Sequence, residues 1–172
     1  LLPAYDRYLK VEQDEIQPRS EYITLLHGDI REESIQRQVS QVDVILSTSV
    51  FEHLDDVPGI TEALAKLTAP QGVHLHFVDL RDHYFKYPFE MLKFSESVWR
   101  NFLNPTSNLN RYRLNDYRRV FDANFTQVEF EVLERLAKEF RVSQNRIRAE
   151  FKTGDDEMDS VTLIQVIASQ PK

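Results

Sequence analysis

Between residues 42 and 78 the chain passes from one apolar run to another through a stretch with helical spacing. The run Val-Asp-Val-Ile-Leu, Val42 to Leu46, is apolar enough to predict a buried parallel strand covered on both faces. Asp55-Asp56 precede Pro58, a capping residue followed by proline in the first turn, and Ile60, Ala63, Leu64 and Leu67 form the stripe of an amphipathic helix. Pro70 and Gly72 close it, and Val73, Leu75, Phe77 and Val78 predict the next strand. Strand, helix and strand in that order make a βαβ unit, right-handed by default.

The flanks extend the pattern. Leu1, Leu2, Tyr5, Tyr8 and Leu9 recur at helical spacing, and the acidic stretch after Val11, with Pro18, ends that helix. Tyr22 to Leu26 predicts a short strand closed by Gly28-Asp29, and Glu32 to Val39 a polar helix. Tyr84, Phe85, Tyr87, Phe89, Phe94, Trp99 and Phe102 crowd a segment that reads as an insertion or lid over about residues 81–113, with Ser95 capping a helix through Leu103. Its aromatics read as core or dimer interface, so a homodimer is compatible with the sequence. Asn115 or Asp116 is placed to cap a helix carrying Tyr117, Val120 and Phe121 and ending at Asn124. Val128, Phe130 and Val132 alternate with Gln127, Glu129 and Glu131 as in a half-buried or edge strand. A helical stretch with Phe140, Ile147 and Phe151 leads to the turn Gly154-Asp155-Asp156, and Val161 to Ala168 predicts a buried last strand. Strands alternating with helices give the α/β class, and 172 residues with 41% hydrophobic content suit one domain over 1–172.

A net charge of −7 removes the electrostatic footprint needed for nucleic-acid phosphates or an anionic membrane surface, which leaves a small molecule or a protein as partner. No cysteine is present, so disulfides and thiolate metal sites are excluded and a reducing, cytoplasmic setting is expected. No apolar stretch approaches the length of a membrane span. His74 and His76 share a face of one strand and, with Asp79 or His83, imitate a metal site; lacking a third ligand at defined spacing, they read as packed polar residues, and no metal is expected.

Open α/β sheets bind ligands beyond the carboxyl ends of their strands. The informative residues are therefore Gly28-Asp29-Ile30, then Ser47-Thr48-Ser49 with Glu52-His53, then Asp79-Leu80-Arg81-Asp82-His83. Here a resemblance becomes specific. Residues 42 to 56, Val-Asp-Val-Ile-Leu-Ser-Thr-Ser-Val-Phe-Glu-His-Leu-Asp-Asp, resemble the fourth strand and following loop of class I S-adenosylmethionine-dependent methyltransferases, with their Glu-His-Leu signature. Residues 67 to 80 are similar to that family's Pro-Gly-Gly turn and fifth strand, Gln71 standing for the first glycine, and Leu26 to Ile30 resembles the end of its third strand.

The resemblance implies a Rossmann-like sheet with helices on both faces and an antiparallel last strand. It implies S-adenosylmethionine as cofactor, Asp29 accepting from the adenine amino group, Ile30 packing on the ring, and Ser47, Thr48 and Ser49 lining the pocket near the methionine moiety. Glu52 and His53 would flank the transfer site, His53 being the one candidate for proton transfer; Asp79, Arg81, His83 and Arg111 would meet a small-molecule or peripheral acceptor. The family's glycine-rich loop has no match among Gly28, Gly59, Gly72 and Gly154, so the resemblance places that loop and the first strands before Leu1. The alternative is a methyltransferase-like binding or scaffolding module without cofactor activity. A nicotinamide-linked dehydrogenase is a poorer match to the Glu-His-Leu loop and the Pro-Gln-Gly turn.

Overall fold

The computed structural model describes residues 7–12 and 15–172. β1 (Leu9–Glu12) and β2 (Glu15–Pro18) pair antiparallel, Val11 opposite Ile16. β3 (Val42–Thr48) runs through a 3-10 turn at Phe51–His53 into α1 (Val57–Leu67), which returns the chain directly to β4 (Thr68–Asp79). After the aromatic segment come α2 (Leu114–Asn124), β5 (Phe125–Arg135), α3 (Ala137–Ser143) and β6 (Val161–Pro171). β3 and β4 are parallel; β6 lies between β4 and β5 and is antiparallel to both, giving the order β3-β4-β6-β5. The expected βαβ unit and antiparallel last strand are both present, in a Rossmann-like α/β sheet, but β3, expected to be buried on both faces, is an edge strand of the described sheet, with Val44 68% and Leu46 64% exposed on the face they share.

Local chemistry sets these elements. The Asp56 side chain accepts from Gly59 N at 2.9 Å, an N-cap with Pro58 in the first turn. α1 and α2 bring Val57, Ala65, Leu114, Tyr117 and Phe121 against Val78, Ile164, Val166 and Ala168 of β4 and β6 in one apolar cluster. The alternation predicted for β5 places it at the sheet's edge, as expected. α2 starts at Leu114, one residue before the expected caps: the Asp116 carboxylate, already inside the first turn, accepts from Arg113 N at 2.8 Å and closes the end from within. The aromatic segment builds a second core of Phe89, Met91, Leu92, Trp99 and Leu109 with Phe140 and Ile147. Ser95 caps its helix as expected, accepting from Val98 N. Tyr84, Tyr87 and Phe102 remain exposed.

Three local expectations are corrected. Tyr22 to Leu26 is not a strand, because no ladder forms beside it among the described residues. Residues 1–6 of the expected opening helix lie outside the described residues, and Leu9 to Glu12 is strand, since Val11 and Ile16 pair across a period-two pattern that overrides the helical spacing. The polar helix expected over 32–39 is one turn, Glu33–Gln36, with no buried residue to hold it longer.

Two buried polar features tie the layers. Arg113 is only 8% exposed, because its guanidinium donates to Leu80 O (2.8 Å) at the end of β4 and to Val161 O (2.6 Å) and Asp159 O at the start of β6. Burial lowers its pKa to about 10, so it stays charged at neutral pH. His74 and His76 have no exposed surface. Their rings bond each other, His74 reaches Thr68, and His76 reaches Ser47 on the neighbouring strand. Burial pushes His74 down to about 4; burial, with His74 beside it, pushes His76 down to about 3.

Replacing Arg113 by Met leaves three buried carbonyls without their donor and is expected to cost about 3 kcal/mol in urea denaturation. Arg135→Met, on a half-exposed side chain 3.8 Å from Glu157, should cost about 0.5 kcal/mol or less; equal losses would contradict the assignment. The histidines give stability a sign with pH. Unfolded, they titrate near 6.5, so below that the unfolded chain binds protons the folded one refuses, and stability falls as pH drops towards 4. Each contributes a slope of about 1.4 kcal/mol per pH unit. Glu52 and Asp82, whose carboxyls burial raises, act in the opposite sense by at most one proton each, so the histidine slope is read in a Glu52→Gln Asp82→Asn background that removes both. Urea midpoints between pH 6.5 and 4.5 check this, and a flat profile would contradict it.

Candidate functional site

At the carboxyl end of β3 the chain leaves the sheet with Ser49 at φ 52°, a left-handed turn whose N–H donates to Phe77 O at 3.0 Å. The turn aims Phe51 and Leu54 inward and opens a cavity of about 530 Å³ between β3, α1 and the loop at residues 28–30. Ile30, Ile45, Leu46, Val50, Ile60 and Leu64 make its wall apolar, and Asp29, Ser47 and His76 supply the polar side chains. That size and make-up suit a small organic ligand.

Asp29 and Ile30 are thus brought to one cavity with Ser47, as expected. Thr48 and Ser49 are exposed and lie outside its lining. Asp29 is engaged: Arg31 reaches both carboxylate oxygens through Nε and donates its backbone N–H to Oδ1 at 2.9 Å, while its Nη1 bonds Asp56 at 2.7 Å. These bonds, with a further one from Arg31 Nη2 to Oδ2 at 2.5 Å, hold the Asp29 carboxyl at about 2, so it is an anion at neutral pH. His76, Ile60 and Leu64 were read from the sequence as packing residues and not as lining of a ligand cavity. The signal for His76 was its cross-strand position opposite Ser47, which local patterning does not reveal.

Beyond the next strand, Glu52, His53, Asp79, Arg81 and His83 gather at the ends of β3 and β4. Asp79 is buried and accepts from Arg81 N and Nε at 2.9 Å, with His83 Nε2 at 3.4 Å. Burial raises its carboxyl, and the Arg81 hydrogen bonds outweigh that and bring it below the usual range. His53 donates from Nδ1 to Asn108 O at 2.8 Å, and its ring centre stands 5.5 Å from that of His83. Glu52 is 2% exposed; Asp79 N donates weakly to Oε1 at 3.4 Å, and Oε2 has no partner. Burial raises this carboxyl above the usual range. Of this group Asp79, Arg81 and His83 line a hollow that also takes in Asp82, Lys86 and Glu139, whereas Glu52 and His53 lie outside that lining.

Arg111 is set apart. It is 7% exposed, donates to Phe94 O at 2.7 Å and to Met91 O, pairs with Glu96, and lies 4.8 Å over the Phe151 ring. It borders a separate hollow of about 640 Å³ with Trp99 and Tyr112, with three of its five donors engaged by Met91 O, Phe94 O and Glu96. Among the described residues no group of three or more metal-ligating side chains converges, and no helix is long and apolar enough to cross a membrane.

Comparison with known proteins adds a family. Residues 5–76 match the family model for the methyltransferase domain. No curated protein sequence matches the chain. Similar solved structures include Haemonchus contortus phosphoethanolamine N-methyltransferase 2 in complex with phosphomonomethylethanolamine and S-adenosylhomocysteine, at 14% identity and TM-score 0.44, covering 76% of this chain and 34% of that one. A complex between the Haloferax volcanii Trm112 methyltransferase activator and a methyltransferase gives 17% identity and TM-score 0.48, covering 88% and 66%. Geranyl diphosphate C-methyltransferase from Streptomyces coelicolor, with Mg2+, geranyl diphosphate and S-adenosyl-L-homocysteine, gives 9% and 0.44, covering 83% and 50%. The chain spans between about a third and two-thirds of these proteins' lengths. The match takes in the 28–30 loop, β3, α1 and most of β4, so this part of the chain is similar to a methyltransferase domain.

Proposed function

We propose that this domain transfers a methyl group from S-adenosylmethionine to a small-molecule acceptor, with the cofactor in the cavity at the end of β3. The observation that carries the reading is the coincidence of that cavity with the methyltransferase-domain match. The lining suits the cofactor. An ionised Asp29 offers an acceptor for an exocyclic amine, Ile30 and Ile60 offer apolar surface for a flat ring, and Ser47 offers a hydroxyl for a polar end group. Bound S-adenosylmethionine supplies an electrophilic methyl on a sulfonium, which becomes a thioether as an acceptor lone pair takes the methyl.

The chain's own residues then have two tasks. The cavity holds one reactant by its apolar wall and few polar anchors, so that proximity and alignment do most of the work. Glu52, His53 and His83 border the acceptor side, where an acceptor that carries a proton must give it up, and imidazole suits that step. The acidic net charge of −7 favours a neutral or cationic acceptor over a polyanion.

Calorimetric titration with S-adenosylhomocysteine is expected to show one saturable site. Ile60→Trp, which fills the cavity, is expected to weaken that site by about tenfold or more. Folded wild-type protein that takes up no S-adenosylhomocysteine would contradict the proposal.

A further inference from the structure

The buried hydrogen-bond chain that ends at Ser47 has a direction, and the direction follows from counting protons. Thr68 Oγ1 lies 2.7 Å from Leu64 O and 2.6 Å from His74 Nε2. A carbonyl oxygen only accepts, so the single Thr68 hydroxyl proton goes to Leu64, and His74 must donate to Thr68 from Nε2. A neutral imidazole carries one ring proton, which leaves His74 Nδ1 an acceptor, and the donor 3.1 Å away is His76 Nε2. The same count leaves His76 Nδ1 bare. Ser47 Oγ, 2.7 Å from it, therefore gives its one proton inward. Neither ring has exposed surface, so no water competes for these bonds, and the rings are kept neutral by that burial.

We propose that Thr68, His74 and His76 are positioning residues that fix the polarity of Ser47, so that its hydroxyl meets a ligand in the β3-end cavity only as an acceptor and selects an ammonium group. An isolated serine hydroxyl rotates to suit donor or acceptor; this one is committed. A hydroxyl on the ligand can serve either role and is not discriminated, whereas an ammonium has donors and no acceptor, and a carboxylate has acceptors only. A carboxylate brought to Ser47 sets lone pair against lone pair or breaks the bond to His76 and leaves a buried ring nitrogen unpaired. Resting on the proposed cofactor reading, the inference is that the amino-acid end of S-adenosylmethionine turns its ammonium, and not its carboxylate, to Ser47. The anchor of this preference is Thr68, two residues beyond the cavity wall and out of reach of the ligand.

Long-range nitrogen–proton NMR of the histidine rings tests the chain without any ligand. At neutral pH both His74 and His76 are expected to carry the proton on Nε2 with Nδ1 bare; the opposite tautomer or a charged ring would overturn the proposal. Thr68→Val, close in shape, removes the anchor and is expected to mix the tautomers, and unchanged ring signals in a folded variant would also overturn it. The ligand half is read by calorimetry with S-adenosylhomocysteine and its analogue lacking the amino group. Ser47→Ala should weaken the first by about tenfold and the second by less than about twofold. Equal losses would overturn the polarity claim while leaving the cofactor reading intact. Absence of binding by either compound to wild-type protein would instead overturn the cofactor reading, and the ammonium assignment with it.

Discussion

Two imidazoles that no water reaches constrain the centre of this molecule. A buried polar group must be bonded or it costs free energy, and His74 and His76 have only each other, Thr68 and Ser47 to satisfy them. Meeting that requirement joins the last turn of α1, through Leu64 and Thr68, to the middle of β4 and across to the end of β3. The register that sets Ser47 opposite His76 is therefore held by side chains as well as by the ladder. Around the rings, Phe51, Phe121 and Phe125 close the space, with centroids at 4.5 Å for Phe51 to His76 and for Phe125 to His74. A slip of one residue between β3 and β4 would turn these groups to the wrong face, so the cavity at the end of β3 inherits its shape from the buried pair.

Arg113 serves the same logic just beyond the carboxyl end of β4. A charge in the interior is tolerated when its donors meet acceptors, and here three carbonyls from two chain segments converge on one guanidinium, which also lies 5.6 Å over Phe89. Phe89 belongs to the second apolar cluster, so this side chain links the sheet to the aromatic segment. That segment thereby holds the loops carrying Asp82 and His83 at the ends of the strands.

The sequence disclosed what local chemistry decides. The Val-Asp-Val-Ile-Leu run, the Asp56 cap before Pro58 and the alternation at Val128, Phe130 and Val132 each specify one element, and each element formed. Tyr22 to Leu26 has a strand's composition yet forms none, because a strand is defined by its neighbour. The burial of Arg111 and Arg113 was not legible, since burial of a charge depends on carbonyls far away in the chain. For the site, Asp29, Ile30 and Ser47 were legible from their position after strands, and so was the cluster from Glu52 to His83. His76 as a cavity residue was not, since its role comes from pairing with Ser47 across 29 residues of sequence.

The central claim is that the pocket beside Asp29, Ile30 and Ser47, within the methyltransferase-domain match, is where the cofactor sits. Amide chemical-shift mapping during titration with S-adenosylhomocysteine tests it most directly. Shifts concentrated at residues 28–30, 45–50 and 60–64 are predicted, with Trp99 to Arg111 unmoved. Shifts confined to the hollow beside Arg111, or none at all in folded protein, would contradict the account.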